Sequence, residues 1–309
     1  MWKLVVIALV GLAAQLVDGS LGMAYGVTSS SLLLAVGMAP AAASAAVHFA
    51  EIGTTLVSGV SHTKLGNVDW RTVGIMAVPG GIAAFLGATL LASLDGDLVK
   101  PFVAVLLLLL GAYVLVRFLV LRGGRPTIKG SPKAVFLIPL GAVAGFMDSV
   151  GGGGWGPVGT TTLLSSGRLE PRKVVGSIDT AEFVVAIGGS VGFLLALGHA
   201  GIPWSVAGAL LLGGVVAAPI AAYLVRIMPA MVLGVAAGGL IIVTNVRTLG
   251  KAVGIDGAIL SPVLITLGAA AIALTIWSIL AVRRRSLTER AEAPAESGNS
   301  DAELLDRKL

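Results

Sequence analysis

Ionisable side chains occur at six positions in or next to long apolar stretches of the chain, namely Asp18, His48, Glu51, Asp148, Asp179 and Glu182. A charge at the centre of a lipid bilayer costs at least ~2.5 kcal/mol on insertion scales, so such groups must be paired, protonated or directed into a cavity. His48 and Glu51 are three residues apart, as are Asp179 and Glu182, so each pair lies on one face of a helix. Because burial favours the protonated carboxyl group and imidazole titrates near neutrality, we predict that all six residues exchange protons along a central pathway.

Two glycine-rich segments follow two of these residues. Asp18 is followed by Gly-Ser-Leu-Gly-Met-Ala-Tyr-Gly (19–26) and Asp148 by Ser-Val-Gly-Gly-Gly-Gly-Trp-Gly (149–156), and a hydroxyl cluster follows each segment. Glycine weakens helices, and irregular backbone at membrane depth persists only where it is buried or lines a cavity. We therefore expect these breaks to form the walls of a substrate site. The predicted substrate-binding residues are Gly22, Tyr25, Gly26, Thr28, Ser29, Ser30, Gly152, Gly153, Gly154, Trp155, Gly156, Thr160 and Thr161.

Structural roles are the alternative for each of these groups. The glycines would then serve tight helix packing, and the hydroxyls would bond carbonyls of their own helices. Asp18 and Asp148 would cap helices. Glu51 and Glu182 would bond unwound backbone of the opposite half and hold the two halves together.

The composition indicates that the surrounding solvent is lipid. Hydrophobic residues make up 56% of the 309 positions and charged residues 12%, and the mean hydropathy is +0.97. A spanning helix needs about 20 apolar residues, whereas a transmembrane barrel shows short alternating strands. Suitable runs occur at 71–94, 98–121, 172–198, 203–225, 229–246 and 258–282. We predict an all-α polytopic membrane protein with about 7 to 10 membrane segments, some of them broken or re-entrant.

The chain also contains an internal repeat. Residues 11–117 and 141–247 show the same features in the same order: a glycine-rich segment, a hydroxyl cluster, a Gly/Pro turn, an Ala-Glu pair and a tryptophan at the start of the next helix. Cytoplasmic loops are enriched in Lys and Arg, and equivalent loops of the two halves differ in these residues. We therefore predict two inverted repeats.

This pattern divides the chain into five parts. We predict a first transmembrane repeat (1–121), a basic cytoplasmic linker (122–133), a second transmembrane repeat (134–250), a final transmembrane helix (251–282) and a disordered cytoplasmic tail (283–309).

The motifs argue against an enzyme. The chain has no Gly-x-x-x-x-Gly-Lys loop, no His-Glu-x-x-His pair and no cysteine. We expect no cofactor, no resident metal and no nucleic-acid partner. No Lys or Arg lies deep in the apolar segments, so an anion would be held by helix N-termini, backbone N–H groups and hydroxyls. The alternative is a cation transporter or channel that uses the intramembrane carboxylates as ligands.

Further motifs resemble one family. They are Gly37-Met-Ala-Pro40, His48-Phe-Ala-Glu-Ile-Gly-Thr-Thr55, Gly66-Asn-Val-Asp-Trp70, Val78-Pro-Gly-Gly81 and Val175-Gly-Ser-Ile-Asp-Thr-Ala-Glu182. Together with the glycine-rich openings of both halves, their order resembles the TauE/SafE family of sulfite exporters over about residues 5 to 280.

The resemblance implies a multi-pass permease of the inner (plasma) membrane, and Arg283, Arg284 and Arg285 after the last apolar run predict that the tail lies in the cytoplasm. The resemblance further implies export of a small anion, such as sulfite, a sulfonate, thiosulfate or a related organic acid, driven by protons. The first half departs from the pattern, because Leu21, Met23, Ala24 and Tyr25 stand among its glycines. A homodimer is one assembly that the sequence leaves open.

Overall fold

The computed structural model describes residues 2–120, 131–224 and 230–292, and within these ranges it contains helices and turns but no strand. The α-helices are α1 (Trp2–Leu21), α2 (Tyr25–Ala35), α3 (Pro40–Lys64), α4 (Trp70–Ser93), α5 (Gly96–Val120), α6 (Ala134–Gly151), α7 (Trp155–Ser166), α8 (Pro171–Leu197), α9 (Trp204–Leu224), α10 (Ala230–Ala252) and α11 (Gly257–Glu292). Seven of these described helices are long and apolar enough to cross a membrane, namely α1, α4, α5, α6, α8, α9 and α11. The predicted all-α polytopic membrane fold is therefore confirmed.

Local sequence signals explain where several helices begin. Both α3 and α8 begin with proline, at Pro40 and Pro171, because the ring presets a helical φ and the first turn does not need its N–H. α4 begins after Asp69, whose carboxylate accepts a hydrogen bond from the Thr72 N–H at 2.8 Å. The apolar runs predicted at 71–94 and 172–198 agree with α4 and α8 to within one residue at each end.

α3 is the longest of three described helices that cover 18 or more residues and lie outside the predicted apolar runs, the others being α1 and α6. Its buried face is polar and includes His48, Glu51 and Thr55, which lower its hydropathy below that of an ordinary membrane span. These side chains are enclosed by other helices and do not meet lipid. A polar helix is tolerated there because its neighbours provide the contacts that lipid cannot.

The helices pack in reciprocal pairs around α3 and α8. α3 lies against α8, α1 lies against α9, and α6 lies against α4. α5 lies against α10, while α11 packs mainly on α10. In the order of the proposed repeats, α1 to α5 correspond to α6 to α10, so the α1–α9 contact has its counterpart in the α6–α4 contact. This reciprocity is what a duplicated fold predicts, and the inverted orientation of the two halves stays a prediction.

Parts of the predicted linker and tail lie outside the described residues. These are 122–130 of the linker and 293–309 of the tail. α11 continues to Glu292, beyond the predicted helix end at residue 282. The first residues of the predicted disordered tail are thus helical.

Candidate functional site

Two breaks interrupt the helices, one in each half. The chain leaves the helix at 22–24, between α1 and α2, and at 152–154, between α6 and α7. Gly22 and Gly152 have φ angles of 65° and 68°, a left-handed conformation that favours glycine. α1 ends at Leu21 and α6 at Gly151, so each helix continues into the glycine-rich segment before the break begins.

The two breaks contact each other through their glycines. A Cβ atom on Gly26 would lie 2.7 Å from the carbonyl oxygen of Gly152 and from the Cα atom of Gly153. A Cβ atom on Gly156 would clash with the backbone of Met23. Only glycine permits this approach of the two backbones. In this conformation the glycines touch one another, so a substrate that binds between them must first separate them.

Hydroxyl groups connect each break to the opposite half. Ser30 donates a hydrogen bond to the carbonyl oxygen of Gly152 at 2.6 Å. Thr160 stands at the equivalent position of the second half and donates to the carbonyl oxygen of Gly22. These two hydroxyls therefore bond across the repeat interface and not within their own helices.

The remaining hydroxyls behave differently from one another. Thr161 bonds the carbonyl of Pro157 in its own helix, which is the structural alternative stated above. Thr28 and Ser29 are buried, and neither hydroxyl has a hydrogen-bond partner among the described residues. Thr28 and Ser29 thus have unused bonding capacity near the breaks.

The aromatic residues at the breaks anchor the short helices. Tyr25 and Trp155 are fully buried at the first positions of α2 and α7. The Tyr25 hydroxyl donates to the carbonyl of Leu210 at 3.3 Å, and the Trp155 indole N–H donates to the carbonyl of Ile178 at 2.9 Å. Both polar tips are therefore occupied, and the rings fix the position of the breaks.

Asp18 and Asp148 bind the N-termini of the short helices. One carboxylate oxygen of Asp18 accepts a hydrogen bond from the Tyr25 N–H at 3.2 Å. One oxygen of Asp148 accepts from the N–H groups of Gly154 and Trp155 at 2.8 and 3.0 Å. The capping alternative is thus observed, although each aspartate also has a second oxygen.

The two aspartates belong to two clusters of ionisable groups. The His48 cluster consists of His48, Glu51 and Asp148, and the Asp179 cluster consists of Asp18, Asp179 and Glu182. Within each cluster, one polar atom from each side chain lies within 4.8 Å of the others. Each cluster combines an aspartate at the break of one half with the helical pair of the other half. The structure therefore brings together all six ionisable residues singled out from the sequence, in two equivalent groups.

The His48 cluster is held by hydrogen bonds to its imidazole. Nε2 of His48 lies 3.3 Å from Oδ2 of Asp148 and 3.0 Å from the Ser149 hydroxyl. Nδ1 lies 3.0 Å from the carbonyl oxygen of Ser44. The ring is consequently fixed between α3 and α6.

Glu51 points towards the contact between the two breaks. A Cβ atom on Gly26 would lie 3.1 Å from Oε1 of Glu51. Both carboxyl oxygens are buried and have no hydrogen-bond partner among the described residues. The alternative role for Glu51, bonding to unwound backbone of the opposite half, is therefore not observed.

The Asp179 cluster includes groups that the sequence interpretation did not select. Asp179 accepts a hydrogen bond from Ser58, and its Oδ2 lies 3.6 Å from Nε2 of His62. Ser58 and His62 follow Glu51 by seven and eleven residues on α3, which keeps them on its polar face. That spacing was the signal available in the sequence, and it was obscured because neither residue has an equivalent in the second half.

The clusters form a strongly acidic, enclosed region. They contain five carboxyl groups and one imidazole, and no Lys or Arg is among the buried residues in the described part of the chain. The spacing within each cluster suits either a shared proton or a bound cation.

Comparison with known proteins places this architecture in a family. Residues 7–248 match the family model described as sulfite exporter TauE/SafE. The chain is 54% identical over 254 residues to the probable membrane transporter protein YtnM of Bacillus subtilis (strain 168). The aligned region covers 81% of this chain and 83% of the relative. The chain is 26% identical over 145 residues to the probable membrane transporter protein YdhB of the same organism, which covers 46% of this chain and 58% of the relative. No solved structure matches the chain. With seven apolar helices among its described residues and a family match over most of its length, the chain is a multi-pass membrane transporter that belongs to the TauE/SafE sulfite exporter family.

Proposed function

We propose that the protein exports a small anion, such as sulfite, a sulfonate, thiosulfate or a related organic acid, across the cytoplasmic membrane and that this transport is coupled to protons. The observation that carries the proposal is the pair of buried carboxyl clusters beside the contact between the two breaks. The six coupling residues are those of the His48 and Asp179 clusters. The chain terminus after α11 lies on the cytoplasmic side in this scheme.

Electrostatics favours protons in the clusters. Two unit negative charges 4.8 Å apart repel each other by about 3 to 4 kcal/mol at an effective dielectric constant near 20. Because no buried Lys or Arg offsets this repulsion in the described residues, binding of a proton or a cation in a cluster lowers the repulsion between its carboxyl groups. An anion entering this region makes the ionised form still less favourable, and this links anion binding to proton uptake.

Neutral donors are available to hold the anion itself. The unpartnered hydroxyls of Thr28 and Ser29 lie in the first turns of α2, where the helix dipole is positive. Separation of Gly26 from Gly153 would expose the backbone of both breaks beside them. Hydroxyls and backbone N–H groups at helix N-termini are suitable ligands for an oxyanion.

A basic cavity lies at the far end of α2 and supports an anionic substrate. Its volume is about 510 Å³. Its lining includes three basic residues, Lys100 of α5 and Arg247 and Lys251 of α10, and one acidic residue, Asp97. The cavity includes Leu34 and Ala35 at the C-terminal end of α2. Cations around such an opening raise the local concentration of an anion and repel a cation.

Transport in proteoliposomes tests the proposal. We expect wild-type protein to move sulfite or thiosulfate and protons together, and Glu51→Gln and Glu182→Gln to abolish the coupled proton movement while the fold is retained. Anion flux that is indifferent to both substitutions would refute the coupling. Flux of sodium or another cation, with no response to oxyanions, would instead favour the cation transporter that the carboxyl clusters could also serve.

A further inference from the structure

One face of α3 carries polar side chains over most of the helix. His48, Glu51, Thr55, Ser58 and His62 follow one another at intervals of three and four residues. This spacing keeps side chains on one face of a helix, and all five residues are buried. The polar face therefore runs from the His48 cluster past Ser58, which bonds Asp179, to His62 near the end of α3.

The equivalent face of α8 becomes apolar after Glu182. When the first residues of α3 and α8 are aligned, His62 corresponds to Phe193. Phe193 is fully buried, and its ring packs edge-on against His48, with ring centroids 5.6 Å apart and an interplanar angle of 70°. The Asp179 cluster thus lies beside the titratable ring of His62. At the equivalent position, the His48 cluster lies beside the hydrocarbon ring of Phe193.

His62 connects the Asp179 cluster with the loop between α3 and α4. Its Nε2 lies 3.6 Å from Oδ2 of Asp179, and its Nδ1 lies 3.3 Å from the side-chain amide nitrogen of Asn67. His62 and Asn67 are buried, whereas the neighbouring Gly66 and Lys64 are exposed. Asn67 offers both a donor and an acceptor, so a half-turn of its amide group pairs with either neutral tautomer of the ring.

The groups facing His62 are few. Asp179 of α8 is the acid within ion-pair distance of its ring, and Asp18 and Glu182 lie beyond it in the same cluster. α9 also packs on α3 and contains no Asp, Glu, Lys, Arg or His.

The other neighbours of α3 direct their charged groups elsewhere. Asp148 of α6 faces His48, and Arg71 of α4 is exposed and donates to the carbonyl of Pro132. The acidic and basic residues described on α5 lie towards its ends, at Asp97, Lys100 and Arg117, and its tyrosine is exposed. α2 contains no Asp, Glu, Lys, Arg or His.

We propose that His62 transfers protons between the Asp179 cluster and the side of the membrane that carries the α3–α4 loop, and that Phe193 blocks the equivalent route from the His48 cluster. The inference rests on the proton coupling proposed above. In the transfer, the Asp179 carboxyl group gives its proton to Nε2 of a ring that carries hydrogen on Nδ1. Nδ1 then releases its proton to water at the loop, which leaves a carboxylate and a neutral ring. Release from the clusters is therefore one-sided.

Four substitutions in proteoliposomes with an internal pH indicator test this proposal. His62→Gln keeps a hydrogen-bonding amide but cannot titrate, and His199→Gln is the matched control because His199 is exposed in the equivalent loop of the second half. Proton transfer by a positioned side chain typically contributes about 10²–10⁴-fold, so we expect His62→Gln to slow anion-driven proton flux at least ~10-fold and to flatten its pH profile. Anion binding by the purified variant should be unchanged, and His199→Gln should match the wild type.

Phe193→His and Asn67→Ala supply independent tests. Phe193→His should create a second route and raise proton leakage in the absence of anion, which a purely structural role for Phe193 does not predict. Asn67→Ala removes the partner of His62 without changing the ring, and it should slow proton flux with anion binding intact even if His62→Gln fails to fold.

The outcomes separate the two proposals. If folded His62→Gln shows wild-type proton flux and an unaltered pH profile, the role of His62 is overturned and coupling stays intact. If His62→Gln does not fold, the same result in Asn67→Ala overturns that role. A wild-type protein that moves anions without protons would overturn the proposed coupling and the role of His62 together.

Discussion

The contact between the two breaks can be tested by adding a single methyl group. In Gly26→Ala the new Cβ atom would lie 2.7 Å from the Gly152 carbonyl oxygen and the Gly153 Cα atom, and 3.1 Å from Glu51. The obstructing atoms are mainly backbone, which cannot rotate away as a flexible side chain would. The substitution should therefore separate the breaks or strain them.

Gly74→Ala is the matched control for this substitution. Gly74 lies within α4, and a Cβ atom there would have no neighbour within 4 Å. Both variants gain up to ~1 kcal/mol of helix propensity, although the gain is smaller in the first turn of α2, where Gly26 lies. The difference between the variants consequently reports the steric cost at the breaks, which we expect to be about 1–3 kcal/mol.

Denaturant titration of the purified variants measures the loss of stability. Anion flux in proteoliposomes measures the loss of transport. Gly26→Ala should unfold at lower denaturant than Gly74→Ala and should transport at least ~10-fold more slowly, since ~1.4 kcal/mol corresponds to a factor of ten. Gly74→Ala should transport like the wild type. If Gly26→Ala is as stable and as active as Gly74→Ala, the breaks do not have to meet in the transport cycle and the reasoning fails.

Substitutions at three further positions test the cap of α7, the anchor of α7 and the basic cavity. Asp148→Asn keeps an oxygen that can accept from the N–H groups at the start of α7, so stability should change by less than that of Asp148→Ala, whereas proton flux coupled to the anion should fall in both. Trp155→Phe removes the hydrogen bond from the indole N–H to the Ile178 carbonyl, which keeps its backbone partner within α8, so the substitution should cost about 0.5–1.5 kcal/mol in unfolding experiments and show whether the ring anchors α7. Arg247→Gln should raise the anion concentration needed for half-maximal flux and weaken its dependence on ionic strength, whereas an unchanged salt dependence would exclude the basic cavity as an entry route.

The sequence was most informative where the chain meets lipid. An apolar run of spanning length is a direct consequence of the bilayer thickness, so the ends of α4 and α8 could be predicted to one residue. α3 was not recognised as a span because it meets other helices instead of lipid, and its composition follows those contacts. Hydropathy therefore identified α4, α5, α8, α9 and α11 but not the polar α3.

The site could be predicted in its residues but not in its connections. Duplicated ionisable positions pointed to all six cluster residues, because isolated charges in apolar segments are costly. Which aspartate meets which helical pair depends on contacts between the two halves, and no spacing within one half specifies them. The pairing of Asp148 with His48 and Glu51, and of Asp18 with Asp179 and Glu182, is accordingly a result of the structure.

His62 was missed for the opposite reason, since it has no counterpart in the second half. A comparison of repeats emphasises what the halves share, whereas a transport pathway also needs a difference between its two ends. That difference does not set the direction of net transport, because the concentration gradients of anion and protons determine the direction in any coupled carrier. It determines which side of the membrane exchanges protons quickly with the clusters. Exchanging the residues at positions 62 and 193 should therefore move the side of fast proton exchange to the other face of the membrane without reversing net flux under a fixed gradient.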